Sequence, residues 1–228
     1  MSSGSSAITR SGDITAIEPG QVNLFVPPDW FDLMADGPDR EATRARCEDI
    51  IRRTYPETPP ERREEFVDGL MACHERYLAD GALMYGVITA PLPSTGDQAV
   101  WQVQAGVVAV PAVPEEVDLG ELLSRVFDAQ FKQRVAYVER FTTEMGLGLG
   151  FLSQPDVPVP EDWADEVPAD LRTGLAGALA CPPEGGKGLL VVGTCLNPDQ
   201  VRELAALVAV IAGNSTFAPA ESRTPSNQ

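Results

Sequence analysis

An α+β class, a mostly antiparallel β-sheet with helices packed on it, is what this sequence predicts, and three observations predict it. Apolar runs of strand length come in neighbouring pairs joined by turn-forming residues. Helical patterns stand between groups of strands and do not alternate with them singly. The resulting order, strand, two helices, two strands, helix, about four strands, helix, lacks the β-α-β rhythm of a parallel sheet. The sequence shows no internal repeat.

Residues 1–13 are small and polar without periodicity, so a disordered tail is expected there. Val22 to Val26 (VNLFV) reads as a short strand, stopped by Pro27-Pro28, which withhold N–H groups from the ladder. Asp29-Trp30-Phe31 then turns the chain. Pro38-Asp39 opens a helix over 39–54, with Cys47, Ile50 and Ile51 as a thin apolar stripe and Tyr55-Pro56 at its end. Thr58 stands where the N-cap of a second helix belongs, ahead of Pro59-Pro60 and an acid, Glu61. That helix runs to Asp80, with Phe66, Leu70, Cys73 and Tyr77 on one face, and Gly81 ends it.

Ala82 to Ala90 and Ala99 to Val110 read as an antiparallel pair around a loop of Pro91 to Asp97. In the second of them Val100, Gln102 and Gln104 alternate with Trp101, Val103 and Ala105. Leu119 to Gln130 reads as a short helix carrying Leu122, Leu123, Val126 and Phe127. Val135 to Thr142 and Gly146 to Ser153 are two more strands, followed by a Pro- and acid-rich loop over 154–169. Leu171 to Cys181 and Gly188 to Leu196 flank Glu184-Gly185-Gly186-Lys187, a hairpin signal. Asn197-Pro198-Asp199 caps a last helix over 199–212, whose buried face is Val201, Leu204, Val208 and Ile211, widened by Leu207. The expected organisation is one α+β domain over 14–217 with a helical insert at 39–80, and disordered tails over 1–13 and 218–228.

Composition narrows the chemistry. A chain of 228 residues buries roughly 70% of its extended surface without disulfide or metal staples. Its formal net charge of −17 repels nucleic-acid phosphates and anionic membrane surfaces. The usual role of such acidity is solubility; a basic partner is the sharper reading. Lysine is nearly absent, with Lys132 and Lys187 alone, and Gly, Pro and Ala are abundant, a usage typical of GC-rich bacterial genomes. Cys47, Cys73, Cys181 and Cys195 form no close pair, so no zinc site is expected. The N-terminus has no apolar signal region and no apolar stretch is long enough to span a bilayer, so a cytoplasmic location with reduced thiols is expected.

Few residues suggest catalysis. His74 is the sole histidine and lies in a charged helix, edging the apolar stripe near Leu70 and Leu78, in a structural or solvent role. Its neighbour Cys73 points about 100° away around the helix, so the two form no nucleophile–base pair. Gly146-Leu147-Gly148-Leu149-Gly150 spaces its glycines wrongly for a dinucleotide loop and sits in a strand. It predicts one crowded face, approached closely by a packing element or by a ligand. Gly185-Gly186-Lys187-Gly188 lacks the other parts of a phosphate loop and reads as a turn. Glu115-Glu116 and Asp165-Glu166 lie in loop-like stretches and read as solvated.

Arginine is concentrated. Arg40, Arg44, Arg46, Arg52, Arg53, Arg62, Arg63 and Arg76 are interleaved with Glu41, Glu48, Asp49, Glu61, Glu64 and Glu65. The pattern fits a solvated helical hairpin paired within itself, or an Arg-bearing docking surface with Arg40, Arg44, Arg52, Arg53, Arg62 and Arg63 as contacts. Trp163, within Glu161-Asp162-Trp163-Ala164-Asp165-Glu166, either folds back over the sheet or meets a partner.

Three stretches resemble the PsbP-like fold family, which includes a photosystem II extrinsic subunit, a nuclear import factor that binds a small GTPase, and actinobacterial proteins. Val22-Asn23-Leu24-Phe25-Val26-Pro27-Pro28-Asp29-Trp30 looks like its opening strand and Pro-x-x-Trp. Gly81-Ala82-Leu83-Met84-Tyr85-Gly86-Val87 looks like its next strand, and Leu204 to Phe217, with Ile211-Ala212 and Ser215, looks like its closing helix. The resemblance implies an α/β/α sandwich, partner binding without catalysis, and chaperone-like or secretion-associated roles; a link to type VII secretion is expected from the actinobacterial style of the sequence alone. It supplies no catalytic residue.

The expected function is therefore that of a non-enzymatic adaptor or chaperone-like domain that binds a protein and needs no cofactor. A small-ligand domain or carboxylate enzyme, and a self-associating structural subunit, are the alternatives.

Overall fold

Seven strands form one antiparallel sheet with helices on both faces. The structure, a computed structural model, describes residues 9–10, 22–26, 31–91, 96, 98–110, 137–156 and 172–217. In chain order the elements are β1 (Thr9–Arg10), β2 (Val22–Leu24), β3 (Phe31–Asp32), α1 (Arg40–Thr54), α2 (Pro60–Ala79), β4 (Met84–Pro91) and β5 (Gln98–Val110). They continue with β6 (Tyr137–Thr143), β7 (Gly146–Ser153), β8 (Gly174–Cys181), β9 (Gly186–Cys195), α3 (Val201–Gly213) and β10 (Thr216–Phe217). The large sheet runs β3-β4-β5-β9-β8-β7-β6, with every neighbouring pair antiparallel. The α+β class expected from the sequence is the class observed. Among the described residues, no helix is long and apolar enough to cross a membrane.

The cross-strand register sorts residues onto the two faces, because directly opposed residues share a face. One row reads Met84, Ala105, Val191, Ala178, Gly150, Glu139 across β4, β5, β9, β8, β7 and β6. The first four are buried and join Leu204, Val208 and Ile211 of α3 in the main core. The next row, Tyr85, Gln104, Val192, Gly177, Phe151, Val138, faces the other way. There Tyr85 stacks on Tyr77 of α2, ring centroids 4.3 Å apart. Cys47, Ile51, Val67, Met71, Leu33 and Met34 complete this second core. Trp101, Val103 and Ala105 are buried while Gln102 is exposed and Gln104 half-buried, as the alternation in β5 predicts.

Local chemistry fixes the element ends. The Asp39 side chain accepts from Ala42 N at 3.0 Å and caps α1. The expected Thr58 cap is not used: α2 begins at Pro60 behind Pro59, with no side-chain cap bond. Proline in the first turn lacks one of the N–H groups a cap would satisfy. Gly185 and Gly186, both at positive φ, make the turn between β8 and β9. Asn197 caps a 3₁₀ turn, Pro198–Gln200, that leads into α3. Gly193 is glycine for space: a Cβ there would lie 2.7 Å from Leu204 Cδ1, so its absence lets α3 sit close to β9. Gln200 is buried and accepts from Trp101 Nε1 at 2.9 Å, joining the start of α3 to the sheet.

Two details depart from the sequence reading. The buried face of α2 is Val67, Met71 and His74, not Phe66, Leu70, Cys73 and Tyr77. The face that is buried is the one turned to α1 and to the turn before it, where His74 Nε2 meets Gly37 O. Leu70, Cys73 and Tyr77 flank the seam, and Phe66, 41% exposed, lies against Tyr55 instead. The opening strand also belongs elsewhere. β2 pairs with β1 and β10 in a separate three-stranded sheet, not with the large sheet. Ser215 holds this arrangement: its hydroxyl donates to Ile211 O at 2.6 Å and accepts from Phe25 N at 3.0 Å. Thr9–Arg10, within the tail expected to lack structure, forms β1; the rest of the two tails and the helix expected at 119–130 lie outside the described residues.

Candidate functional site

Seven arginines of the α1–α2 hairpin are engaged within the hairpin and the turn before it. Arg40 Nε lies 2.8 Å from Glu75 Oε1, linking α1 to α2. Arg44 bridges Glu48 at 3.3 Å and Asp68 at 2.9 Å, and the Asp68 hydrogen bond holds its guanidinium pKa above the ordinary value. Arg46 makes a two-point contact with Asp36, at 2.7 and 2.9 Å, with the same consequence. Arg52 and Arg53 share Asp49, Arg62 pairs with Glu65 at 2.9 Å, and Arg63 donates to Pro56 O. All these side chains are at least partly solvated, so the pairs contribute little each to stability. Trp163 lies outside the described residues.

Most of the residues that could have suggested catalysis are buried in the fold. His74 is 2% exposed, and its Nε2 lies 2.9 Å from Gly37 O, tying α2 to the turn before α1. It sits in the buried seam rather than at its solvent edge. The four cysteines are free, and Cys47, Cys181 and Cys195 are buried. Burial pushes the Cys47 and Cys195 thiols up to about 11, the opposite of what a nucleophile needs. Among the described residues, no cluster of His, Cys, Asp or Glu could hold a metal ion.

The surface that stands out is a groove between α3 and the edge strand β6, the last strand of the sheet among the described residues. Helix α3 lies mainly over β8 and β9, so the same face of β7 and β6 emerges beside it. Two adjoining cavities, about 620 and 630 Å³, share Glu139 and Ala209 in their walls. Ala205, Ala206 and Ala209 form the helix side of the first, and Gly150, Leu152 and Tyr137 its sheet side. Phe141, Val210 and Gly213 continue the second. Arg202 stands at the start of the groove, Glu139 in its middle, and Glu144 at its far end. The Glu144 backbone N–H donates to Gly213 O at 3.2 Å, fixing that end of β6 to the end of α3.

The glycine alternation in β7 serves the close packing expected of it. A Cβ at Gly148 would meet the Phe141 ring at 2.6 Å, so Gly148 seats that ring. At Gly150 the nearest ring atom of Phe141 would be 3.6 Å away, and the position lines the groove. Sequence reading did not single out Tyr137, Glu139, Ala205, Ala206 or Ala209. One signal was available: α3 carries no charged residue after Glu203, although Ala206 and Val210 face solvent and Val210 is 46% exposed. A helix without a polar outer face is normally covered by something.

No family model matches the chain, and no curated protein matches it. Among solved structures it is similar to LpqN, involved in cell envelope biogenesis of Mycobacterium tuberculosis. The identity is 12%, the match covers 92% of this chain and 89% of that one, and the TM-score is 0.40. A likeness at that level carries no statement about what the chain binds.

Proposed function

We propose that this chain is a non-enzymatic protein-binding domain, an adaptor or chaperone-like module, and that it binds through the α3–β6 groove. The observation that supports this reading is the charge-free outer flank of α3 beside a strip of sheet that none of the described residues covers. Contiguous exposed apolar surface next to a concave wall marks interaction sites. Most of the hairpin arginines already have acidic partners of their own, which favours the groove over the hairpin as the docking surface. The non-enzymatic part rests on the engagement of His74 with Gly37 O and on buried thiols that keep their protons. A cytoplasmic setting and, through the PsbP-like resemblance, a secretion-associated role belong to the same proposal, and fractionation of the tagged chain tests the first.

The decisive test compares the tagged wild-type chain with an Ala206→Glu/Val210→Glu variant in pull-downs from the native host. One stoichiometric protein held by the wild type and lost by an equally folded variant is the expected result. Identical recoveries from both chains would move the function away from the groove. The cavity of about 620 Å³ and its polar rim of Tyr137, Glu139 and Arg202 favour one second reading, a small ligand. A thermal shift with a metabolite that the variant abolishes would assign the site to that ligand.

A further inference from the structure

We infer that a small cavity between α2 and the hairpin side of the sheet binds an uncharged planar amide of one ring, the class of the pyrimidine bases and nicotinamide. The cavity lies on the face opposite the α3–β6 groove, so it is a site additional to the proposed docking surface.

The register builds the site. Tyr85 of β4, Gln104 of β5 and Val192 of β9 form one row, and Val87, Gln102 and Thr194 form the next row on the same face. Successive rows on one face lie about 7 Å apart, so the ends of Gln102, Gln104 and Thr194 are within reach of one small molecule. α2 brings Tyr77 across, stacked on Tyr85 with ring centroids 4.3 Å apart. Tyr77, Tyr85, Gln102, Gln104, Val192 and Thr194 line a cavity of about 120 Å³. Gln102 and Thr194 are exposed and stand at its mouth.

The polar groups around it are unpaired. Tyr85 is 4% exposed, yet among the described residues its hydroxyl has no hydrogen-bond partner. It is not one of the unpaired atoms sealed from solvent, which among the described residues are Arg63 Nε and His74 Nδ1. The hydroxyl therefore opens on the space that the ring borders, and that space is the cavity. Among the same residues, the side chains of Tyr77, Gln102, Gln104 and Thr194 make no hydrogen bond either. A polar side chain buried as deeply as Tyr85 normally has a partner, so the free hydroxyl points to a ligand.

The lining sets the chemistry. None of the lining side chains is charged, and an ion placed there would lose hydration without meeting a counter-charge. Burial pushes the Tyr77 and Tyr85 phenols up, so both stay protonated. Every polar group present, hydroxyl or carboxamide, then both donates and accepts. The matching ligand carries donors and acceptors side by side, as the N–H and C=O of a cyclic amide do. A Gln carboxamide meets such an edge through two parallel bonds, as it does with adenine. Size decides the rest. An apolar cavity of about 150 Å³ takes benzene, so about 120 Å³ takes a single ring. The tyrosine rings and Val192 make the remaining wall apolar, which suits the faces of a flat ring better than a flexible polyol.

The test titrates the full chain with uracil, benzoate and glycerol, following the tyrosine signals in NMR spectra. Uracil is expected to shift the Tyr77 and Tyr85 signals saturably, and benzoate and glycerol to leave them unmoved. Tyr85→Phe removes an oxygen that no described residue bonds, so it should keep the fold, checked by thermal unfolding, and weaken uracil about tenfold. Gln104→Leu should weaken it in the same direction. Ala206→Glu/Val210→Glu, on the other face, should bind uracil as the wild type does, so the cavity and the groove stand or fall separately. Benzoate binding alongside uracil would overturn the uncharged class, and glycerol binding alone would overturn the planar one. Uracil binding undiminished in both Tyr85→Phe and Gln104→Leu would place it elsewhere and overturn the site. If no probe shifts either tyrosine, the cavity holds water only and the inference falls.

Discussion

On one face of the sheet the α1–α2 hairpin turns a charged surface to solvent, and most of its arginines are within salt-bridge distance of acids in or beside the hairpin. On the other face α3 turns alanines and a valine outward, with no charge beyond its first turn. Both helical layers bury a comparable inner seam, Cys47, Ile51, Val67 and Met71 in one and Leu204, Val208 and Ile211 in the other. The difference lies on their outer sides. Charge that is paired internally solvates a surface and has little left to offer. Apolar surface left bare is unspent hydrophobic energy, about 25 cal/mol for each Å² that a partner would cover. A search for the binding surface guided by unusual charge leads to the hairpin; one guided by missing charge leads to α3.

Substitutions can break this contrast. The largest effect belongs to the inner seam of α3. Leu204 is fully buried, and Leu204→Ala is expected to lower stability by about 2–5 kcal/mol in urea unfolding. A much smaller loss would mean that α3 is not the helix that closes the main core. His74→Leu comes next. It leaves Gly37 O without its donor inside the hairpin seam, at a cost of about 1–3 kcal/mol in the same measurement. An unchanged midpoint would return His74 to a solvent role.

Both seams hold a thiol that burial pushes up to about 11, Cys47 in one and Cys195 in the other. The unfolded chain ionises its thiols nearer 8.5. In that window the unfolded state binds fewer protons, so stability is fully present below it and falls as pH rises toward 11. Burial raises Tyr77 and Tyr85 in the same sense. The urea midpoint should therefore decline through the alkaline range, and decline less steeply in Cys47→Ala/Cys195→Ala. Equal slopes would show that the thiols are not the cause.

The surface substitutions sharpen the comparison most, because their stability effects are small. Arg40→Ala and Arg44→Ala each remove exposed pairs and should lower the urea midpoint only slightly, and less at high salt. Ala206→Glu should change stability by about 0.5 kcal/mol or less, since the position faces solvent, yet abolish partner recovery. The reverse result, recovery lost with the arginines and kept in Ala206→Glu, would exchange the roles of the two layers.

The sequence by itself determined the class and most of the elements. The period-2 alternation of Trp101, Val103 and Ala105 against Val100, Gln102 and Gln104 needs no tertiary information to place one side inward. The 3.6-residue spacing of Val201, Leu204, Val208 and Ile211 is equally plain. Where two apolar series compete along one helix, spacing cannot choose. In α2 the series through Phe66 and the series through Val67 are adjacent, and packing against α1 and the turn before it selected the second. Nor could spacing assign β2 to its small sheet, because a strand of three residues pairs wherever the ends of the chain bring it. The groove was decided by tertiary structure alone. Its walls are ordinary alanines and glycines, silent in a sequence, and they become a surface only because the register carries Gly150 and Glu139 out from beneath α3.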